Sequence, residues 1–262
     1  MGGERGGDAS RPVKDFALIL KLLCYCRPGE WPALLRYALL KALRRPARID
    51  LKLRGKGWTV MTNKPSGLHF FHEVVVDGCY SGIRPDLLAL PGPLVIDGGA
   101  NCGAFALWAL SENKEARVIS FEPGEAFENL AINRGMHLRD HDDHWQVEKC
   151  ALSSQVGVGH FQQDAGSSQG RLNNDGGEAV PMRTVDDLGL SPEILKIDVE
   201  GHEMEVLKGS EKTLNTARVV VLEYHSPELR EECKAFLSAR DFALEGGDAP
   251  IVGMLIARKQ LR

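Results

Sequence analysis

No stretch of these 262 residues approaches the roughly 18 consecutive apolar residues that cross a bilayer. The longest candidate, Phe16 to Cys26, carries Lys21 in its middle and ends at Arg27-Pro28. Metal-spaced cysteines are also missing. Cys24, Cys26, Cys79, Cys102, Cys150 and Cys233 are scattered, and Cys24-x-Cys26 lacks the two-residue gap of a zinc or redox pair. No secretory leader is expected, since the first residues are Gly-rich and charged, and Gly6 stands where a myristoylation signal needs Ser or Thr. No internal repeat is present, and 43% hydrophobic residues exclude global disorder, collagen-like repeats and coiled coil. The expectation is a soluble cytoplasmic protein with free thiols.

The net charge of −4 is unevenly placed: residues 1–60 carry 13 Lys and Arg against 5 Asp and Glu, and the remainder is acidic. An acidic body argues against a nucleic-acid groove, which needs clustered cations. Residues 34–48 (LLRYALLKALRRPAR) read as a basic amphipathic helix broken at Pro46. Its bland role is packing with a solvated polar face. Its sharper role is peripheral contact with an anionic membrane or an acidic partner.

Residues 1–13, rich in Gly, Asp and Arg, read as disordered, and 14–93 as an accessory region. That region is expected to be helical over 14–46 and extended over 49–62 and 69–76, the last from Val74-Val75-Val76. From 94 to 262 short apolar strands alternate with helices: strands at 94–97, 117–121, 145–152, 193–198 and 218–224, helices at 104–110, 125–136 and after 200. Residues 242–244 and 251–257 suggest a closing hairpin. The alternation predicts an α/β fold with a doubly wound, mostly parallel sheet. Residues 153–180, rich in Gly, Ser, Gln, Asn and Asp, read as a flexible lid over the site.

In such a sheet, ligands bind where strands end. The strand ends deliver Asp97-Gly98-Gly99-Ala100-Asn101-Cys102-Gly103, Glu122-Pro123, Ala151, Asp198-Val199-Glu200-Gly201-His202-Glu203 and Glu223-Tyr224-His225. Glu122, 25 residues beyond Asp97, is placed to accept hydrogen bonds from two ribose hydroxyls. Asp97 in front of the loop would repel a pyrophosphate and suit a ligand bearing an ammonium, which favours S-adenosylmethionine over a nicotinamide dinucleotide.

The blocks V-I-D-G-G-A-N-C-G-A-F (95–105), F-E-P (121–123), N-L-x-x-N (129–133), A-L (151–152), K-I-D-V-E-G-H-E (196–203), V-L-K-G (206–209) and L-E-Y-H (222–225) resemble the FkbM family of methyltransferases. Seven blocks match in order over about 70–225, with Gly98 a mild departure where a branched apolar residue is usual. The resemblance implies a class I methyltransferase (Rossmann-like) fold with a seven-stranded sheet. It also implies S-adenosyl-L-methionine as cofactor and O-methylation, usually, as the reaction. It points to Asp97, Gly99, Ala100, Asn101, Gly103, Glu122, Pro123, Ala151 and Asp198 as the cofactor-binding set.

For the hydroxyl proton, the candidates are His225, Asp198 and Glu223, with His202 more a helix-start residue. His225 comes first because a neutral imidazole accepts a proton near neutral pH. Lys196 is expected to pair with a carboxylate. No metal is expected: Asp198, Glu200, Glu223 and His225 could hold Mg²⁺ or Mn²⁺, but no closely spaced ligand signature demands one. His141-Asp142-Asp143-His144 reads as a solvated turn. The acceptor is expected to be a hydroxyl on a sugar or other small metabolite. Two rivals stay open: a nicotinamide-dependent oxidoreductase, and a non-catalytic domain that retains the cofactor pocket.

Overall fold

The computed structural model describes residues 20–43, 49–52, 59–62, 65–137, 143–163, 170–173 and 176–260. The expected disordered start (1–13), Arg44, Arg45, Arg48, His141 and Asp142 lie outside them. Ahead of the main sheet come a helical stretch at 20–25, helix α1 (Trp31–Ala42), an antiparallel pair β1 (Ile49–Lys52) and β2 (Thr59–Thr62), and helices α2 (Pro65–His72) and α3 (Arg84–Ala89). Leu34 and Tyr37 on α1 are buried, whereas Leu35 and Leu39 are exposed, so the basic amphipathic helix packs by one stripe.

The sequence predicts a strand over 69–76, and the structure makes it helical. After α2 the chain continues as a π-turn, Glu73–Asp77, closed by Gly78 at φ +67°. Phe71 and Val74, three residues apart, both enter the core, and this helical spacing outweighs the strand preference of three consecutive valines.

The central elements follow as β3 (Leu94–Gly98), α4 (Ala104–Glu112), β4 (Arg117–Phe121), α5 (Phe127–His137), β5 (Trp145–Glu148) and β6 (Ala151–Leu152). Then come β7 (Gly157–Gln163), β8 (Gly170–Asn173), β9 (Glu178–Arg183), β10 (Ile194–Ile197), α6 (Glu203–Lys208), β11 (Val219–Tyr224), α7 (Pro227–Ser238), β12 (Phe242–Gly246) and β13 (Gly253–Lys259). Seven strands form the main sheet in the order β12-β13-β11-β10-β3-β4-β5, all parallel except β13, which runs antiparallel to β11 and β12. The expected closing hairpin is β12–β13.

Every residue of β3 and β10 is buried, as expected for strands covered on both faces. Alternate residues supply two cores. Val95, Val118, Ile194, Val219 and Val221 meet α4 together with Leu22, Leu34, Tyr37, Ile49 and Phe71 from the N-terminal layer. Ile96, Leu195, Ile197, Val220 and Leu222 meet Val206 and Leu207 of α6 and Cys233 and Leu237 of α7. All six cysteines are free.

The predicted third strand, 145–152, is two strands. β5 stays in the main sheet, and after Lys149-Cys150 the chain enters a second, four-stranded sheet in the order β6-β9-β7-β8. The predicted flexible lid over 153–180 therefore contains strands. Val180 and Met182 alternate inward along β9, join Ala151, and are covered by Phe161 and Leu172, a small core of their own. Residues 164–169 and 174–175 of this segment lie outside the described ones.

Candidate active site

Strand order reverses between β3 and β10, and there a cavity opens beside the loop after β3. Gly99, Asn101, Glu122, Pro123, Ala151 and Asp198 from the sequence-derived set line it. Gly99 (φ +74°) lets β3 pass close to the loop after β10: a Cβ there would sit 1.7 Å from the Asp198 carbonyl oxygen. Gly103 has a packing role instead, since its Cβ would meet the Trp145 ring at 2.7 Å and Leu130 at 2.9 Å. Ala100, within the loop, is buried.

Glu122 holds the loop in shape. Its Oε2 accepts the Asn101 backbone N–H at 2.9 Å and its Oε1 that of Gly124 at 2.8 Å. Burial pushes its carboxyl up to about 7 despite those two hydrogen bonds.

Asp97 departs from its expected role. It is fully buried, Ser120 donates to its Oδ2 at 2.9 Å, and Lys196 Nζ stands 3.1 Å from its Oδ1. Nζ directs its hydrogen bonds to the carbonyls of Gly99 (2.7 Å) and Gly98 (3.2 Å), so it meets Asp97 as an ion pair without good hydrogen-bond alignment. A neutralised, enclosed Asp97 neither repels a pyrophosphate nor reaches a ligand ammonium; it anchors the Gly loop through Lys196. The expected pairing of Lys196 with a carboxylate is found here.

His225 also differs in its chemistry. Nδ1 lies 2.8 Å from Glu203 Oε1, and Nε2 lies 3.2 Å from Glu200 and 3.9 Å from Asp198. Burial alone would lower its pKa, but the hydrogen bond and charge of Glu203, with the charges of Asp198 and Glu200, hold it at about 9. Beside three carboxylates this ring is protonated at neutral pH, and the expectation of a neutral imidazole base fails. Burial, reinforced by Asp198, pushes Glu223 up to about 7. His202 lines the cavity with Nε2 2.9 Å from Ser153 Oγ, and makes no side-chain cap on α6. The helix-capping role falls to Ser226, whose hydroxyl accepts the Leu229 N–H at the start of α7.

Of the four residues weighed as metal ligands, Asp198, Glu200 and His225 come together, with ligand atoms all within 4.8 Å of one another; Glu223 stands outside the group. Asp198 and Glu200 also line the cavity, whereas His225 and Glu223 are not among its lining residues. Sequence reasoning missed Phe70, Phe161 and Leu172 as lining residues. Phe161 and Leu172 were detectable only as lone apolar residues in a polar stretch, and Phe70 was hidden by the strand assignment.

The Methyltransferase FkbM domain profile matches residues 97–249. The chain belongs to the FkbM methyltransferase family. Methyltransferase sdnD of Sordaria araneosa is 27% identical over 236 residues, covering 72% of this chain and 89% of that one. The hexuronic acid methyltransferase AglP of Haloferax volcanii is 30% identical over 139 residues, covering 50% of this chain and 55% of its own. Among solved structures, the FkbM methyltransferase of Methylobacillus flagellatus superposes with a TM-score of 0.51 at 15% identity, over 96% of this chain and 60% of that chain. The family brings a methyltransferase fold and S-adenosylmethionine as cofactor, and it sets the nicotinamide reading aside. The lining fits that cofactor: a glycine loop that admits close backbone approach, and a buried carboxylate beside it. Among the described residues no helix is long and apolar enough to cross a membrane.

Proposed function

We propose that this FkbM methyltransferase methylates a hydroxyl on a sugar or other small polar metabolite. One observation carries the reading: Asp198 stands on the wall of the same cavity as Gly99, Asn101 and Glu122, so a carboxylate faces the space next to the cofactor loop. The relatives' names agree, among them a 2-O-methyltransferase, NoeI of Sinorhizobium fredii, and the hexuronic acid enzyme of Haloferax.

When bound, S-adenosylmethionine supplies a sulfonium methyl that passes to a lone pair of the acceptor oxygen, the carbon–sulfur electron pair remaining on sulfur. The chain's own task is alignment and proton removal. Glu122 receives the ribose hydroxyls, Gly99 and Asn101 shape the loop, and Pro123 and Ala151 wall the cavity. Asp198, with Glu223 close enough to feel its charge, takes the proton released from the hydroxyl. His225 holds the two carboxylates of the β10 loop in position.

Methyl-labelled S-adenosylmethionine incubated with a panel of hydroxylated sugars and uronic acids tests this. Label should appear in an ether-linked methyl and drop at least a hundredfold with Asp198→Asn. Label on nitrogen, or transfer indifferent to Asp198→Asn, would overturn the reading. Cofactor binding with no transfer to any acceptor would favour the non-catalytic rival.

A further inference from the structure

The ends of β10 and β11 carry more negative charge than methyl transfer alone requires. Asp198 and Glu200 follow β10 two residues apart, and His225 follows β11 directly. The Nε2 edge of His225 faces both carboxylates, at 3.2 and 3.9 Å. The other ring nitrogen is held by Glu203, which is fully buried and also accepts the Gly201 N–H through the same oxygen, Oε1. The second oxygen of Glu203 is buried without a hydrogen-bond partner among the described residues. Lys196, 3.7 Å from Asp198, is already engaged by Asp97 and by two loop carbonyls.

We infer that Asp198, Glu200 and His225 form a binding site for a divalent cation in the wall of the cofactor cavity. The donor set, one imidazole nitrogen and two carboxylate oxygens, suits a first-row ion such as Mn²⁺. Adjacent ligands of an ion with bonds near 2.1 Å lie about 3 Å apart and opposite ones about 4.2 Å apart. The 3.2 and 3.9 Å separations fall in that range, and all three ligand atoms lie within 4.8 Å of one another. Glu203 supplies what ligating histidines usually have: a carboxylate on the second ring nitrogen that fixes the ring and makes Nε2 the donor. The ion takes the place of the Nε2 proton, which leaves to solvent.

Two of the three ligands, Asp198 and Glu200, line the cavity, so a bound ion would face it. The role of the ion rests on the hydroxyl-methylation reading. It would bind the acceptor oxygen and make its proton easier to lose, one oxygen of Asp198 ligating and the other receiving that proton. An acceptor with two adjacent oxygens, a vicinal diol or a hydroxyl beside a carboxylate, would chelate best.

The test uses the full chain, freed of metal with a chelator and titrated with MnCl₂ while free Mn²⁺ is followed by electron paramagnetic resonance. One ion should bind per chain, and spin-echo modulation should reveal one directly bonded nitrogen. Glu200→Gln and His225→Gln should each weaken binding at least tenfold, and His225→Gln should erase the nitrogen signal. Glu203→Gln, which leaves all three ligands in place, should weaken binding 10–100-fold as a positioning residue. Circular dichroism and S-adenosylmethionine titration of the same samples keep a failed fold or a failed methyltransferase reading distinct from a failed metal site. No Mn²⁺ uptake by wild type, uptake without nitrogen coupling, or uptake unchanged in folded Glu200→Gln and His225→Gln would overturn the inference. The cluster would then be an ion pair between imidazolium and carboxylates.

Discussion

Removing the ammonium of Lys196 would strand Asp97, a carboxylate with no solvent exposure, and release the carbonyls of Gly98 and Gly99. Breaking one side of a buried pair costs about 3–5 kcal/mol, far more than a surface ion pair. Lys196→Met should therefore lower the unfolding free energy by about that much in a urea titration, and Asp97→Asn added to it should recover part of the loss. A loss below about 1 kcal/mol would mean that the pair does not hold the loop. Glu122 should respond to pH. Its carboxyl sits at about 7, and ribose hydroxyls donate to the ionised form, so cofactor affinity should rise from pH 6 to pH 8 and the rise should flatten in Glu122→Gln. Affinity falling over that interval would contradict the ribose role. At this scale the sequence made residue positions legible better than directions. Glu122 and Asp198 were placed at strand ends by pattern, and both line the cavity. Asp97 was assigned to the ligand because the pattern says nothing of Lys196 crossing from β10, 99 residues away. The charge state of His225 was equally hidden: Glu203 and Glu200 are near in sequence to each other, but they reach the ring only through the adjacency of β10 and β11.

The second sheet acts as a wall of the cavity. Phe161 on β7 and Leu172 on β8 line it, and Gln163 Oε1 accepts the Glu125 N–H at 3.3 Å, tying the sheet to the loop after β4. Phe161→Ala should weaken S-adenosylmethionine binding roughly tenfold, read by calorimetry, while moving the melting temperature by no more than about 3 °C, because this side chain belongs to the small outer cluster. A large fall in melting temperature with affinity unchanged would make the sheet structural. Element types were legible wherever burial on both faces left short apolar runs, as in Leu94-Val95-Ile96 of β3, Ile194-Leu195 of β10 and Val219 to Leu222 of β11. They were misread where local preference and packing disagree. Val74-Val75-Val76 favours a strand in isolation, and the turn at Lys149-Cys150 that sends β6 into another sheet interrupts no apolar pattern.

Across the whole molecule, the N-terminal layer is continuous with the catalytic sheet. Leu34 and Tyr37 are buried in the same core as Val95, Phe105 and Ile256, some 220 residues later for the last. Leu34→Ala should cost about 2–5 kcal/mol and leave unfolding as a single transition, with circular dichroism and tryptophan fluorescence coincident. Two separated transitions would show that the layer and the sheet unfold independently. The mostly parallel sheet and the location of the cavity at its strand ends followed from the alternation of strands and helices. Packing of the N-terminal layer did not, because its apolar stripe carries no record of its partner. The central claim is that the β3–β4 strand ends hold S-adenosylmethionine. Calorimetric titration with S-adenosylmethionine and with NAD, on wild type and on Glu122→Ala shown to be folded, tests it most directly. Micromolar binding of S-adenosylmethionine, weakened at least tenfold in the variant and accompanied by no heat from NAD, is the predicted result. Binding of NAD, or silence from wild type toward S-adenosylmethionine, would contradict it.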